Sequence, residues 1–217
     1  MALAIFDLDN TLIAGDSDYL WGQFLVEKGA VDPDLFEAEN ERFYADYKKG
    51  TLDIMEYQRF SLAPLTQQRM ATLRHWHEQF MDKYIRPILL PKARTLVDEH
   101  KAKGDTLLVI TATNTFVTKP IAKLYGISNI IGTNPEMVDC KFTGKVKGTP
   151  AFQEGKVIRL QQWLKEHHET LEDSTFYSDS HNDIPLLESV DHPVAVDPDD
   201  KLRKYAEQHQ WKIISLR

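Results

Sequence analysis

The chain has 217 residues, 42% apolar and 27% charged, with one cysteine and a formal net charge of −7. That length buries a full core, and the acidity argues against a nucleic-acid partner held by phosphate neutralisation. One cysteine, Cys140, excludes an intrachain disulfide and fits a reducing compartment. No window approaches the ~20 apolar residues of a membrane span, and the opening residues lack a secretory pattern. A cytoplasmic protein with no membrane partner is expected.

In chain order, Leu3–Phe6 reads as a short buried strand ending in Asp7 and Asp9. Asp16 and Ser17 then cap a helix carrying Tyr19, Leu20, Phe24 and Leu25, which stops near Gly29. Pro33 opens a second helix ending around Gly50, the segment Thr51 to Ile54 starts a third, and Thr66 to Tyr84 reads as a fourth. From Pro91 the pattern changes. A helix to Lys103 leads into the continuous apolar run 106–111, of the buried parallel-strand type. A helix over 115–125 and a strand over 129–133 follow, then a hairpin over 137–147 with its turn at Thr143–Gly144. The remainder alternates: helix 152–167, strand 174–178, helix 182–189, strand 193–196, helix 199–208 and a last strand at 211–214.

Strands alternating with helices predict an α/β fold, a Rossmann-like parallel sheet sandwiched by helices with right-handed crossovers. The helical block between the first two strands reads as an inserted α-helical cap. The expected division is residues 1–15 and 85–217 for the core and 16–84 for the cap.

In a parallel sheet the carboxyl ends of the strands lie along one edge, where ligands bind. Asp7, Asp9, Asp179 and Asp183 would converge there as an all-oxygen group, which suits Mg2+ rather than zinc. Thr111 presents a hydroxyl, and Ala112 to Asn114 offer backbone N–H groups at a helix start, an anion site. Lys156 lies in the helix before the strand over 174–178. An Asp nucleophile, a second Asp to move protons, a cation and phosphate-holding Lys and Thr groups together describe phosphoryl transfer.

With these residues placed, the chain resembles the haloacid dehalogenase superfamily, on the branch that carries an insertion after the first strand and includes phosphoserine phosphatases. The segment Asp7-Leu8-Asp9-Asn10-Thr11-Leu12 is similar to its first motif and Thr111 to its second. Lys156 in Glu154-Gly155-Lys156 is similar to the third, and Tyr177-Ser178-Asp179-Ser180-His181-Asn182-Asp183 to the fourth. The resemblance spans essentially the whole chain. It implies Asp7 as nucleophile and Asp9 as general acid/base. It also implies Mg2+ on Asp7, the Asp9 carbonyl and Asp179, with Asp183 ligating through water or orienting the site. Ser178 stands where many relatives have Gly, which bears on how closely the backbone approaches there. His181 reads as a surface turn residue.

The cap decides the substrate. Asp16 and Asp18, beside Tyr19 and Trp21, are candidates for holding a cationic group by charge and cation–π contact; the competing reading is an N-cap Asp plus core aromatics. Asp16 occupies the position where phosphoserine phosphatases carry an acid that reads the substrate amine, and Arg59 falls roughly where they carry a carboxylate-binding arginine. The chain is also similar to a bacterial group in this branch, some of whose members resemble histidinol-phosphate phosphatases. The expected partner is therefore a small amine-bearing phosphorylated metabolite, histidinol phosphate first and phosphoserine second. A dehalogenase has no need of Asp9. A phosphotransferase would share every catalytic residue, and a non-catalytic binding protein on this scaffold is the alternative of another class. Monomer and homodimer both stay open.

Overall fold

The computed structural model describes residues 2–217. Strand β1 (Leu3–Phe6) lies between β2 (Thr106–Asn114) and β6 (Thr175–Ser178), and the six-stranded sheet is completed by β3 (Asn129–Thr133), β7 (His192–Val196) and β8 (Lys212–Ile214). The order is β3-β2-β1-β6-β7-β8, and every neighbouring pair is parallel. In β1, Leu3 and Ile5 join one apolar cluster while Ala4 and Phe6 join the other, because successive side chains leave opposite faces of a strand. Both faces of the sheet are thus covered, which is why the strands read as unbroken apolar runs rather than as alternation.

One face packs on α7 (Glu154–His167), α8 (Ile184–Leu187) and α9 (Asp200–Gln208) through residues such as Leu160, Leu186 and Leu202. The other receives α5 (Pro91–Lys103), α6 (Thr115–Leu124) and the helical insertion, through Val97, Ile121, Trp21 and Phe80. The insertion holds α1 (Ser17–Glu27), α2 (Pro33–Lys49), α3 (Ile54–Thr66) and α4 (Met70–Phe80). Its ends follow local chemistry. Asp16, Asp32 and Asp53 accept backbone N–H bonds at the starts of the first three helices, and Gly50 closes α2 in the left-handed conformation at φ 82°.

The boundaries differ from the sequence expectation in four places. The third helix runs on to Thr66, carried by the buried Leu62 and Leu65, so α4 begins only at Met70; it then widens into a π turn over Met81–Ile85. Strand β2 continues to Asn114, past the expected end at 111, with an irregular register against β3 between Ile110 and Asn114. The hairpin β4 (Pro135–Val138) and β5 (Lys141–Val146) turns at Asp139–Cys140, both with positive φ (48° and 60°), as a two-residue loop of matching twist requires. Gly144 is instead inside β5, where an added Cβ would stand 3.2 Å from the Thr66 methyl. The expected helix over 182–189 is a 3-10 turn, His181–Asp183, followed by the short α8.

Candidate active site

The Asp7 N–H still bonds to the Tyr177 carbonyl at 2.9 Å, but Thr11, Leu12 and Ile13 all turn their N–H groups back to the Leu8 carbonyl. The chain therefore leaves the sheet immediately after Asp7, and the two acids of the opening motif meet different partners. Asp7 Oδ1 accepts from Lys156 Nζ at 2.8 Å. Asp9 Oδ1 accepts the Ser17 N–H at 2.7 Å, at the start of α1, while its Oδ2 accepts from Thr113 at 2.9 Å and Thr111 at 3.3 Å. Asp9 is thus pinned between the end of β2 and the first turn of the insertion.

Lys156 donates a second bond to Asp183 Oδ2 at 2.7 Å, and Ser178 Oγ donates to the same oxygen at 2.7 Å. Lys156 reaches this position because α7 starts against the Pro150 carbonyl, where a Cβ on Gly155 would collide at 2.1 Å. Asp179 accepts from Thr11 Oγ1 at 3.2 Å, and its own N–H bonds back to that hydroxyl at 3.1 Å. Asp7, Lys156 and Asp183 are each 6% exposed or less.

Burial dominates the electrostatics. It pushes the Asp7 carboxyl up to about 7, against the opposing pull of Lys156. It also holds Asp179 well above the ordinary range, helped by the charges of Asp7 and Asp183. Burial alone would lower the Lys156 ammonium, but Asp183 and Asp7 more than offset it and raise its pKa. One buried cation faces three carboxylates.

That charge excess is the test of fit for a divalent cation. Among the described residues no three His, Cys, Asp or Glu side chains form a closed metal cluster. The fit is instead to two carboxylates, Asp7 and Asp179, completed by a backbone carbonyl and solvent, an oxygen set suited to Mg2+. The Asp9 side chain is committed to Ser17, Thr111 and Thr113, so Asp9 has only its carbonyl to offer. Asp183 accepts from Lys156 and Ser178 on Oδ2 alone, which is compatible with either of its two expected roles.

The expected phosphate residues divide. Thr111 and Lys156 stand at the site. Ala112 is inside β2, and its carbonyl accepts from Thr133 at 2.7 Å. Asn114 is fully buried as the N-cap of α6, its Oδ1 on the Val117 N–H and its Nδ2 on Asp18 at 3.2 Å. Because β2 runs to Asn114, the helix start proposed for Ala112–Asn114 lies one step further on, and both side-chain polar atoms of Asn114 are engaged within the protein.

Of the cap candidates, Asp16 is exposed and accepts the Asp18 and Tyr19 N–H groups as the N-cap of α1. Asp18 is buried and accepts from Tyr57, Ser61 and Asn114; burial raises its pKa to about 6 against the Tyr57 bond. Trp21 is 1% exposed and packs on Phe24, His77, Phe80 and Phe116 in the core, with one side on the small cavity that Asp18, Tyr57 and Ser61 also line. Arg59 is on the exposed face of α3, since residues two apart on a helix point to opposite sides and Tyr57 takes the inner one. His181 is not a free surface residue: its Nδ1 lies 2.7 Å from Asp199. Sequence reasoning gave no role to Thr11, Thr113, Ser180, Tyr47 or Tyr57. Thr11 and Ser180 lie inside the first and fourth motifs, and Thr113 is two residues from Thr111 on the same strand face; Tyr47 and Tyr57 carried no comparable signal.

A model of the haloacid dehalogenase-like hydrolases matches residues 4–188. The chain belongs to this family. A Neisseria meningitidis protein named histidinol-phosphatase is 49% identical over 219 residues, 99% of each chain. A phosphoserine phosphatase of Mycobacterium tuberculosis is 31% identical, matching 100% of this chain and 71% of that one. The solved structure of a Bordetella pertussis protein of unknown function superposes with a TM-score of 0.93 at 44% identity, covering 100% and 99% of the two chains. This family member is an enzyme, a hydrolase, and the four acids of its candidate site gather with Thr111 of β2 and Lys156 of α7.

Proposed function

We propose that the chain is a Mg2+-dependent phosphomonoesterase that works through an aspartyl phosphate on Asp7 and prefers histidinol phosphate. The observation that carries the reaction class is Lys156 bridging Asp7 and Asp183 at 2.8 and 2.7 Å beside the separately held Asp9. A dehalogenase would not need that second acid.

A carboxylate oxygen of Asp7 bonds to phosphorus as the ester P–O bond breaks, and Asp9 gives its proton to the departing oxygen. Asp9 then takes a proton from water, which attacks the aspartyl phosphate, releasing inorganic phosphate and restoring Asp7. The Ser17 N–H and the Thr111 and Thr113 hydroxyls keep Asp9 aimed through both steps. Lys156 neutralises charge on the phosphoryl oxygens while Asp183 and Ser178 fix its direction. Asp7, Asp179 and the Asp9 carbonyl would hold Mg2+, which when bound would supply Lewis-acid stabilisation of the transferred phosphoryl group.

For the substrate, α3 turns hydroxyls inward at Tyr57 and Ser61 and its arginine, Arg59, outward. A phosphoserine carboxylate would meet acids and hydroxyls rather than a guanidinium. An amine-bearing substrate without a carboxylate suits Asp16 and Asp18 better, and the name of the Neisseria relative points the same way. Phosphoserine stays second, supported by the name of the Mycobacterium relative. Retention of the whole acid–lysine constellation disfavours a purely binding role. The exposed Cys140 suits a reducing, cytoplasmic setting.

The test is a panel of phosphorylated metabolites compared by kcat/KM with Mg2+ present. Histidinol phosphate should lead phosphoserine by at least ~10-fold, about 1.4 kcal/mol of transition-state binding. A leading phosphosugar would overturn the substrate reading while leaving the reaction class intact.

A further inference from the structure

Two ties hold the last turn of α2, one to the loop that carries Asp179 and Asp183 and one to α9 beside it, and the proposed mechanism uses neither. The Tyr47 hydroxyl lies 2.6 Å from Ser180 Oγ. One residue on, the Lys48 carbonyl accepts a bond from Lys201 Nζ on α9 at 2.5 Å. That carbonyl is available because Gly50 and Thr51 turn their N–H groups onto Tyr47 and Asp46, leaving Lys48 among the unfilled acceptors of a helix end. The ammonium also meets the negative end of the helix dipole.

Both ties run on into the catalytic loop. Ser180 Oγ accepts the Asn182 N–H at 3.2 Å, capping the turn that presents Asp183, and the Ser180 N–H bonds to Ser178 Oγ, which holds Asp183. Lys201 Nζ stands 3.3 Å from His181 Nε2, and the other ring nitrogen of His181 meets Asp199 at 2.7 Å. The Asp199 N–H then bonds to the Asp179 carbonyl at 2.9 Å. The ring of Tyr47 is 6.3 Å from that of Phe152 and 6.4 Å from that of His181, so α2 ends directly over this loop.

We infer that Tyr47 and Lys201 are positioning residues that fasten the helical insertion over the site and set the loop 178–183 only when it is closed. This rests on the reading of that loop as catalytic. The core packing of Trp21 and Phe80 keeps the rest of the insertion in place, so substrate entry would ask only the α2 end to move, and its fastening would break and re-form each turnover. Two hydrogen bonds, one of them to an exposed lysine, are weak enough to do so. Substrate bound by the closed state has an apparent affinity scaled by the closed fraction.

Tyr47→Phe removes one hydroxyl and keeps the ring; Lys201→Ala removes the other tie, and Lys201→Arg restores a donor. Steady-state kinetics on the best phosphomonoester and amide hydrogen exchange would be measured together. Tyr47→Phe and Lys201→Ala should each raise KM by roughly 5- to 10-fold with a smaller change in kcat, Lys201→Arg should return KM toward wild type, and the double variant should fall short of the product of the singles, since both ties hold one helix end. Exchange should quicken in segments 47–51 and 179–183 together, with melting temperature held. Wild-type KM and wild-type exchange at 179–183 in both single variants would overturn the inference. If the wild-type chain hydrolysed no phosphomonoester, the exchange result would still decide on the fastening, while the kinetics would have refuted the proposed function.

Discussion

Lys156 Nζ lies 2.8 Å from Asp7 Oδ1, and through its second bond to Asp183 one ammonium serves two buried carboxylates. Replacing it by Met leaves the buried Asp7 without its donor and the buried Asp183 with Ser178 alone. Breaking a buried pair from one side costs about 3–5 kcal/mol, so Lys156→Met should unfold at clearly lower urea. Turnover should fall at least ~100-fold with the lost charge stabilisation. Wild-type stability in this variant would show that the ammonium is solvated rather than paired.

Asp7→Asn should abolish turnover with folding intact. Asp9→Asn should slow it severely while leaving the first step less impaired than the second, so phosphoenzyme should accumulate and be seen as a mass increase on quenching. Full activity of Asp7→Asn would remove Asp7 as nucleophile.

Chelation should stop turnover and Mg2+ restore it. Ligand binding stabilises the folded state by about 2.7 kcal/mol at a hundredfold excess over Kd, so Mg2+ should raise the melting temperature of the wild type. In Asp179→Asn that rise should disappear. An equal rise in the variant would place the cation elsewhere.

Asp18 gives a pH signature. Its folded pKa, about 6, stands above the ordinary ~3.9 of an aspartate, so between those values the folded state holds a proton that the unfolded chain has lost. Stability from this group is full below about pH 4 and falls as pH rises through 6. Measured against Asp18→Asn, the wild type should lose roughly 2–3 kcal/mol between pH 4 and 7. A difference that stays flat across this range would mean that the three donors on Asp18 outweigh its burial.

Much of the fold is local and therefore legible. Asp16, Asp32, Asp53 and Gly50 end or begin helices by bonds within a few residues, and the runs 3–6 and 106–111 are apolar because both faces of the sheet are covered. Where boundaries were misread, a contact distant in sequence decided. Gly144 reads as a turn residue but serves the approach of Thr66, and the Asn114 side chain caps α6 and holds Asp18, a pairing no local pattern announces.

By itself the sequence singled out the candidate centre, because phosphoryl transfer needs particular groups near the strand ends: Asp7, Asp9 and Asp179 lie just past strands, Thr111 within β2 and Lys156 in the first turn of α7. Which of the neighbouring polar residues face that centre was decided only by the tertiary structure. Helical rotation sends Arg59 outward while Tyr57 turns in, burial takes Trp21 into the core, and the docking of α2 brings Tyr47 to Ser180 across 133 residues. A motif records residue type and spacing along the chain, whereas a side chain's direction depends on which elements pack against it.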